Sequence, residues 1–337
     1  MGPNGIRLRA RQGESKSYKS PRVRIAIAVL TLTVSVGTVF AFQRAQIPTG
    51  GEIPDGRKRD RTPEKITEVL RHVQGNVYVI AGIGSNISVL AGKDGILIVD
   101  TQYEPFTAKI MDAVRQISDG PIRFVVNTHS HTDHTGGNEN FAKMGAILIA
   151  QDNLRKEMMQ TGPNAPPVPA AALPLMTYDN QLAMHLNGED VTIIHSPKPS
   201  HTTGDSFIYF RGSDVIATGD VYNANYPAIN VGDSQGVIDD WNLLIESIGP
   251  NTKIIPGHGQ LQTRADLMAL RDAMLTIRDR IRGMISQGMT FEQVKTAWPT
   301  KEFDARFSVE QGGRNEVRTT EQWLKSYYEV LAKEVKR

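Results

Sequence analysis

The chain has 337 residues, 39% of them hydrophobic and 22% charged, with a formal net charge of +2. That is enough apolar material for one large domain or two small ones, and the near-neutral balance argues neither for nucleic acid nor for a strongly anionic substrate. With no cysteine in the sequence, disulfides and thiolate ligands are excluded, and any transition metal must be held by histidines and carboxylates.

The N-terminus is basic: Arg7, Arg9, Arg11, Lys16, Lys19, Arg22 and Arg24 are opposed only by Glu14, and residues 25–42 follow without a charge. This order reads as a signal peptide or an uncleaved signal anchor over 1–42. It implies export to the periplasm, secretion, or anchoring at the outer face of the inner membrane through 25–42. Val39 and Ala41 offer small residues for cleavage, yet the stretch is also near the length that spans a bilayer, so both forms stay open. Residues 43–65, rich in Pro, Gly and charge, read as an exposed linker.

From 66 to 337 the pattern is that of one domain. Strand-like runs occur at 77–81, 87–90, 96–99, 124–126, 146–150, 191–194, 207–210, 215–217 and 253–255. Helical periodicity occurs at 105–117, 137–144, 154–159, 238–248 and 264–286. Strands that come first in succession and later alternate with helices predict an α/β (α+β) fold of mixed sheets covered by helices. Residues 161–175 read as a Pro/Ala-rich loop or lid. The C-terminal extension reads as a short helix from 290, a turn around Pro299, and an amphipathic helix over 319–335.

Chemistry concentrates in NTHSHTDHTGGNEN. An extended backbone would throw His129, His131 and Asp133 to one side, His134 adds another imidazole, and Gly136 and Gly137 allow a sharp turn into the next helix. Three imidazoles and a carboxylate in six residues have little structural purpose but suit a metal. His201 in HTTGDS, Asp220 in TGD and His258 in PGHG each lie in a loop just beyond a strand, where a rigid scaffold can aim them.

The run HSHTDH with His201, Asp220 and His258 downstream resembles the motif series of the metallo-β-lactamase superfamily. The resemblance implies a four-layer αββα sandwich of two mixed β-sheets with helices outside, and two divalent metal ions. His129, His131 and His201 would hold the first cation, Asp133, His134 and His258 the second, and Asp220 would bridge them. Asp100, at the end of ILIVD, would support a ligand histidine. Zinc suits this nitrogen and oxygen set, with iron or manganese as alternatives. His131 stands where flavodiiron proteins carry a glutamate, which argues against oxygen or nitric oxide reduction.

The implied function is a metal-dependent hydrolase cleaving an ester, lactone, thioester or amide bond with metal-activated water. Asp133 would orient the nucleophile and pass on a proton. A bridging Asp220 resembles the glyoxalase II-like, lactonase and phosphodiesterase members more than β-lactamases, where Cys or Ser is usual. The alternatives are an exported metallo-β-lactamase acting on β-lactam antibiotics, a non-catalytic metal-binding protein, and a mononuclear iron thiol dioxygenase. Tyr222, Asn223, Asn225 and Tyr226 are read as lining the site mouth. His72, His185 and His195 are read as structural, with His195 close enough in sequence to support His201. The expected partner is a small-molecule substrate, with no nucleic acid and no protein partner.

Overall fold

Along most strands apolar side chains point both ways, a pattern that only a sheet covered on both faces can satisfy. The computed structural model describes residues 47–53, 68–82, 84–160, 166–229, 231, 233–308, 311–313, 316–318 and 320–336. The segment read as a signal or anchor lies outside them. Among the described residues no helix is long and apolar enough to cross a membrane.

The first sheet and its helices run β1 (Val69–Gln74), β2 (Val77–Ala81), β3 (Ile87–Gly92), β4 (Gly95–Val99), α1 (Thr107–Ile117), β5 (Ile122–Val126), α2 (Thr132–Thr135), α3 (Asn138–Lys143), β6 (Ile147–Gln151), α4 (Asp152–Met159) and β7 (Met176–Tyr178). The second runs β8 (Gln181–Leu186), β9 (Glu189–His195), β10 (Ser206–Phe210), β11 (Val215–Ala217), α5 (Ser234–Ser247), β12 (Lys253–Ile255) and β13 (Gln262–Thr263). Then come α6 (Arg264–Ser286), α7 (Phe291–Ala297), α8 (Lys301–Phe307), the short ribbon β14 (Gln311–Gly313) and β15 (Glu316–Arg318), and α9 (Thr320–Val335).

The strand order is β1-β2-β3-β4-β5-β6-β7 in one sheet and β13-β12-β11-β10-β9-β8 in the other. Pairing is antiparallel from β1 to β4 and parallel from β4 to β7. In the second sheet only β11 and β12 are parallel. Both sheets are mixed, as the sequence pattern predicts.

Alternation decides the layers. Val77, Val79, Leu97, Val99, Ile208 and Phe210 fill the core between the sheets. Ile80, Ile96 and Ile98 point the other way, onto Ile110 and Val114 of α1 and Phe141 of α3. Phe207, Tyr209 and Ile216 face α5, α6 and α9 through Trp241, Leu270, Ile277 and Trp323. The result is the αββα sandwich. Its layers bring the carboxyl ends of two parallel pairs, β4–β5 and β11–β12, to one edge, where such folds build their sites.

Several sequence readings need correction. Strands β1, β7, β8, β13, β14 and β15 and helix α8 are absent from the sequence pattern, whereas the turn at Pro299 is present. Over 47–53 the linker reading holds for exposed Pro48, Thr49, Gly51 and Glu52 but not for Ile53, which is 1% exposed and joins the core between the sheets. Its N–H donates to Gln260 Oε1, Gly50 N–H donates to His72 O, and His72 N–H donates to Pro48 O. An isoleucine that can bury against two sheets docks whatever the composition around it. The 161–175 loop is described from 166 onward, and there it is pinned rather than free. Leu175 N–H donates to Leu148 O, and Ala172 O accepts from Asn138.

Candidate metal centre

The histidine-rich run leaves β5 and changes conformation halfway. His131 is extended at φ −63° and ψ 148°, and Thr132–Thr135 then form a single helical turn. The expected extended alternation through Asp133 is therefore wrong. Neighbours on a strand face opposite ways, whereas neighbours on a helix are separated by about 100°. The turn is what allows adjacent Asp133 and His134 to address the same point.

Three imidazoles meet first. His131 Nδ1 lies 3.1 Å from His129 Nε2 and 2.9 Å from His201 Nε2. Ligands on a tetrahedral zinc with bonds of about 2.0–2.1 Å would be about 3.3 Å apart, so this spacing is that of a cage face. A second cluster lies beside it. His258 Nε2 is 3.2 Å from Asp133 Oδ2 and 3.3 Å from Asp220 Oδ1, and His134 Nε2 is 3.3 Å from the same Asp220 oxygen. The other oxygen, Asp220 Oδ2, is 3.6 Å from His201 Nε2. One carboxylate thus turns one oxygen to each cluster. All seven candidate ligands come together, in the trios His129–His131–His201, His129–His134–Asp220 and Asp133–His134–His258.

Three of the five rings, those of His129, His134 and His258, are oriented from behind. Asp100, at a left-handed φ of 66°, places Oδ2 2.7 Å from His134 Nδ1 and accepts from Thr128 N and Oγ1. Thr128 Oγ1 also lies 3.0 Å from His129 Nδ1. His258 Nδ1 meets the Gly84 carbonyl at 2.9 Å, and Asn86 holds the loop around His258 by donating to Pro256 O and Gly259 O. Asp205 accepts from the backbone N–H groups of His201 and Thr202, and His195 Nδ1 lies 3.0 Å from Asp205 O. Fixing one ring nitrogen in this way leaves the other aimed at the centre. Gly257 is small by necessity, since a Cβ there would fall 2.0 Å from Asp220 Oδ1.

The electrostatics point the same way. Burial lowers the pKa of His129, and lowers that of His201 to about 4, so both rings are neutral and able to donate a lone pair. His134 is buried too, but Asp100, Asp220 and Asp133 outweigh that burial and raise its pKa. For Asp133 and Asp220 burial opposes ionisation, yet His134 and His258 hold both carboxylates well below the ordinary range. Three carboxylates around one buried imidazole are an excess of negative charge that invites a cation. His134 Nε2 and Asp220 Oδ1 are buried without a normal hydrogen-bond partner, a costly state that a cation between them resolves. The residues fit two divalent metals.

Of the four residues read as lining the site mouth, Tyr222 and Tyr226 are corrected. Each is 1% exposed, within the helical core. Tyr222 packs edge-on against Trp241 and Tyr226 stacks on Trp323, because their rings serve that core better than an opening. Asn223 accepts from His258 N–H and so positions a ligand loop; Asn225 is half-buried. His72 and His185 bond locally, to Gly75 O and Asp190. Sequence reasoning missed Thr128, Asn86, Asp205 and the Gly84 carbonyl. Of these only Asp205, four residues after His201, had a local signal.

The metallo-beta-lactamase superfamily model matches residues 73–258, a span that holds all seven residues. Among curated proteins the chain is similar to the 2,4-dinitroanisole O-demethylase subunit alpha of Nocardioides sp. (strain JS1661), 26% identical over 53% of this chain and 54% of that protein. It also matches alkyl/aryl-sulfatase BDS1 of Saccharomyces cerevisiae (strain ATCC 204508 / S288c), 34% identical over 22% of this chain and 12% of that one. The matches therefore span about half or less of these relatives' lengths. Among solved structures, the stereoselective inverting sec-alkylsulfatase Pisa1 from Pseudomonas sp. aligns with a TM-score of 0.60 at 18% identity, covering 77% of this chain and 49% of that one. A metallo-beta-lactamase from Pontibacter korlensis aligns with a TM-score of 0.53 at 16% identity, covering 62% and 99%. These two alignments establish the shared fold.

Proposed function

The chain belongs to the metallo-β-lactamase superfamily, and from that premise we propose that it is a dinuclear, metal-dependent hydrolase of a small oxygen-linked substrate. Carboxylic esters, lactones and sulfate esters stand ahead of β-lactam amides. The observation that carries the reading is the Asp220 carboxylate, with one oxygen toward His134 and His258 and the other toward His201. His129, His131 and His201 would hold one cation and Asp133, His134 and His258 the other, with Asp220 offering an oxygen to each. Zinc first by the donor set, such ions would supply an acidified water and polarisation of the bond to be cut.

The protein's own part falls mainly to Asp133. Its side chain is 24% exposed, against 12% for Asp220 and 2% for Asp100, so of the three carboxylates it is the one an entering molecule can best reach. It is ionised, and its backbone carbonyl is fixed by the Ser85 hydroxyl. An ionised carboxylate at the opening can accept a hydrogen bond from the attacking water, orient it, and return the proton to the departing oxygen. His131, the exposed member of its trio, borders the same opening. One relative is named an O-demethylase and another an alkyl/aryl-sulfatase, names that support putting oxygen-linked groups first in the substrate panel. The same proposal includes export through residues 1–42, with 66–337 as the catalytic domain.

The test is elemental analysis with a panel of carboxylic ester, lactone, thioester, alkyl sulfate and chromogenic β-lactam, for wild type, His131→Ala and Asp133→Ala. Two divalent ions per wild-type chain are expected, with metal and turnover lost together in both variants. Full hydrolysis by a metal-free variant would overturn the mechanism. β-Lactam turnover above every other substrate would overturn the order of substrates.

A further inference from the structure

The two candidate cations are held from both sheets. His129 and His131 follow β5 of the first sheet, whereas His201 lies between β9 and β10 of the second. Nothing in the chain's connectivity keeps these two loops in register, so some contact across them must. On the second cation's side that contact is the Gly84–Asn86 segment against the loop of His258. On the first cation's side Ser206 N–H donates to Thr128 O at the base of the two loops, and farther out, beyond the histidines, Glu157 of α4 ties them together.

Glu157 Oε2 accepts from the hydroxyl of Ser130, the residue between His129 and His131, at 2.6 Å. Its other oxygen accepts from Thr203 N–H at 2.9 Å and also from the Thr203 hydroxyl, two residues beyond His201. One turn earlier on the same helix, Asn153 donates to Thr203 O at 3.2 Å. The loop lies close against α4: a Cβ on Gly204 would fall 2.5 Å from Leu154 N. A carboxylate accepting three donors from two loops makes charge-assisted bonds, stronger than those between neutral groups.

We infer that Glu157 is a positioning residue that sets the affinity of the first, three-histidine cation separately from that of the second. The inference rests on the dinuclear reading above. Glu157 touches neither cation cluster. It fixes the distance between Ser130 and Thr203, and through them the spacing of His129, His131 and His201. Residues that orient ligands typically change metal affinity by about 10–100-fold when removed. Here the loss is confined to one of the two ions, because the Gly84–Asn86 contact does not involve α4.

The experiment titrates the full-length apoprotein with zinc alone against a chromogenic chelator, and repeats it with cobalt to follow each site by its absorption. Wild type takes up two ions tightly. Glu157→Ala takes up one with wild-type affinity and the other about 10–100-fold more weakly. Glu157→Gln keeps an acceptor for both Thr203 donors and restores binding to near wild type. If Glu157→Ala does not fold, Ser130→Ala cuts only the tie to the first loop and gives the same selective weakening. Two tight ions in both wild type and Glu157→Ala overturn this inference alone, as does equal weakening of both ions or a Glu157→Gln variant as weak as alanine. A wild type that binds fewer than two ions overturns the dinuclear reading, and this inference with it.

Discussion

Replacing Asp240 by asparagine should stabilise the protein, and by an amount that grows with pH. Asp240 lies on α5, fully buried. Its Oδ1 accepts from Ser196 Oγ at 2.5 Å. Burial pushes the carboxyl from 3.8 up to about 7, against the Ser196 and Ser200 hydroxyls, and neighbouring Asp239 adds to the rise. Because the folded-state pKa is raised, the folded chain binds the extra proton between pH about 4 and 7. Stability therefore falls as pH rises through that window and levels off above it. A shift of about three pH units at about 1.4 kcal/mol each is about 4 kcal/mol in all, of which about 2 kcal/mol falls between pH 5 and 7. Asparagine has nearly the same shape and does not titrate. Denaturant unfolding of both proteins at pH 5, 6, 7 and 8, at fixed zinc, isolates the carboxyl, since the histidine titrations are common to both. Asp205, also pushed up by burial to about 7 and repelled by Asp240, ionises more easily in the variant and adds to its gain at neutral pH. A stability difference that stays constant from pH 5 to 8 would refute the reasoning, because it would mean that Asp240 is already ionised in the fold.

Asp100→Asn should weaken zinc binding about 10–100-fold, chiefly at the ion held by His134, whose Nδ1 it now meets at 2.7 Å; unchanged affinity in a competition titration would count against its supporting role. Gly257→Ala should abolish binding of at least one ion, since the new methyl group falls 2.0 Å from Asp220 Oδ1 and 2.7 Å from Gly219 C; metal analysis of the purified variant checks this. Ile53→Ala should cost about 2–5 kcal/mol in denaturant unfolding, as for other large-to-small core changes. No loss would show that the 47–53 segment is not docked in solution.

The strands that the sequence pattern reveals and those it hides differ in position. The strand β4, GILIV, is buried along its whole length, and an uninterrupted apolar run is hard to miss. Apart from the short β14–β15 ribbon, the missed strands β1, β7, β8 and β13 are the four outer strands of the two sheets. An outer strand has one neighbour and exposes alternate side chains: on β8, Gln181, Ala183 and His185 alternate with Leu182, Met184 and Leu186. Its composition is mixed and its run short, so periodicity does not lift it above the loops around it. The site divides in a similar way. Its seven ligands stood out because imidazoles at that density have few other uses. Tyr222 and Tyr226 misled because a tyrosine beside a ligand suggests a polar contact, whereas here the large rings are core. Of the groups that orient the ligands, Asp100 was legible through the family resemblance, and the others had almost no signal. Gly84 supplies only a backbone carbonyl, 174 positions before the ring it holds, and Glu157 looks like any helical glutamate until Ser130 and Thr203 are brought to it from 27 and 46 positions away. Ligands have to be particular residue types, because coordination needs particular atoms. Their supports need only a donor or an acceptor in the right place, and that place is fixed by the meeting of two sheets rather than by any local pattern.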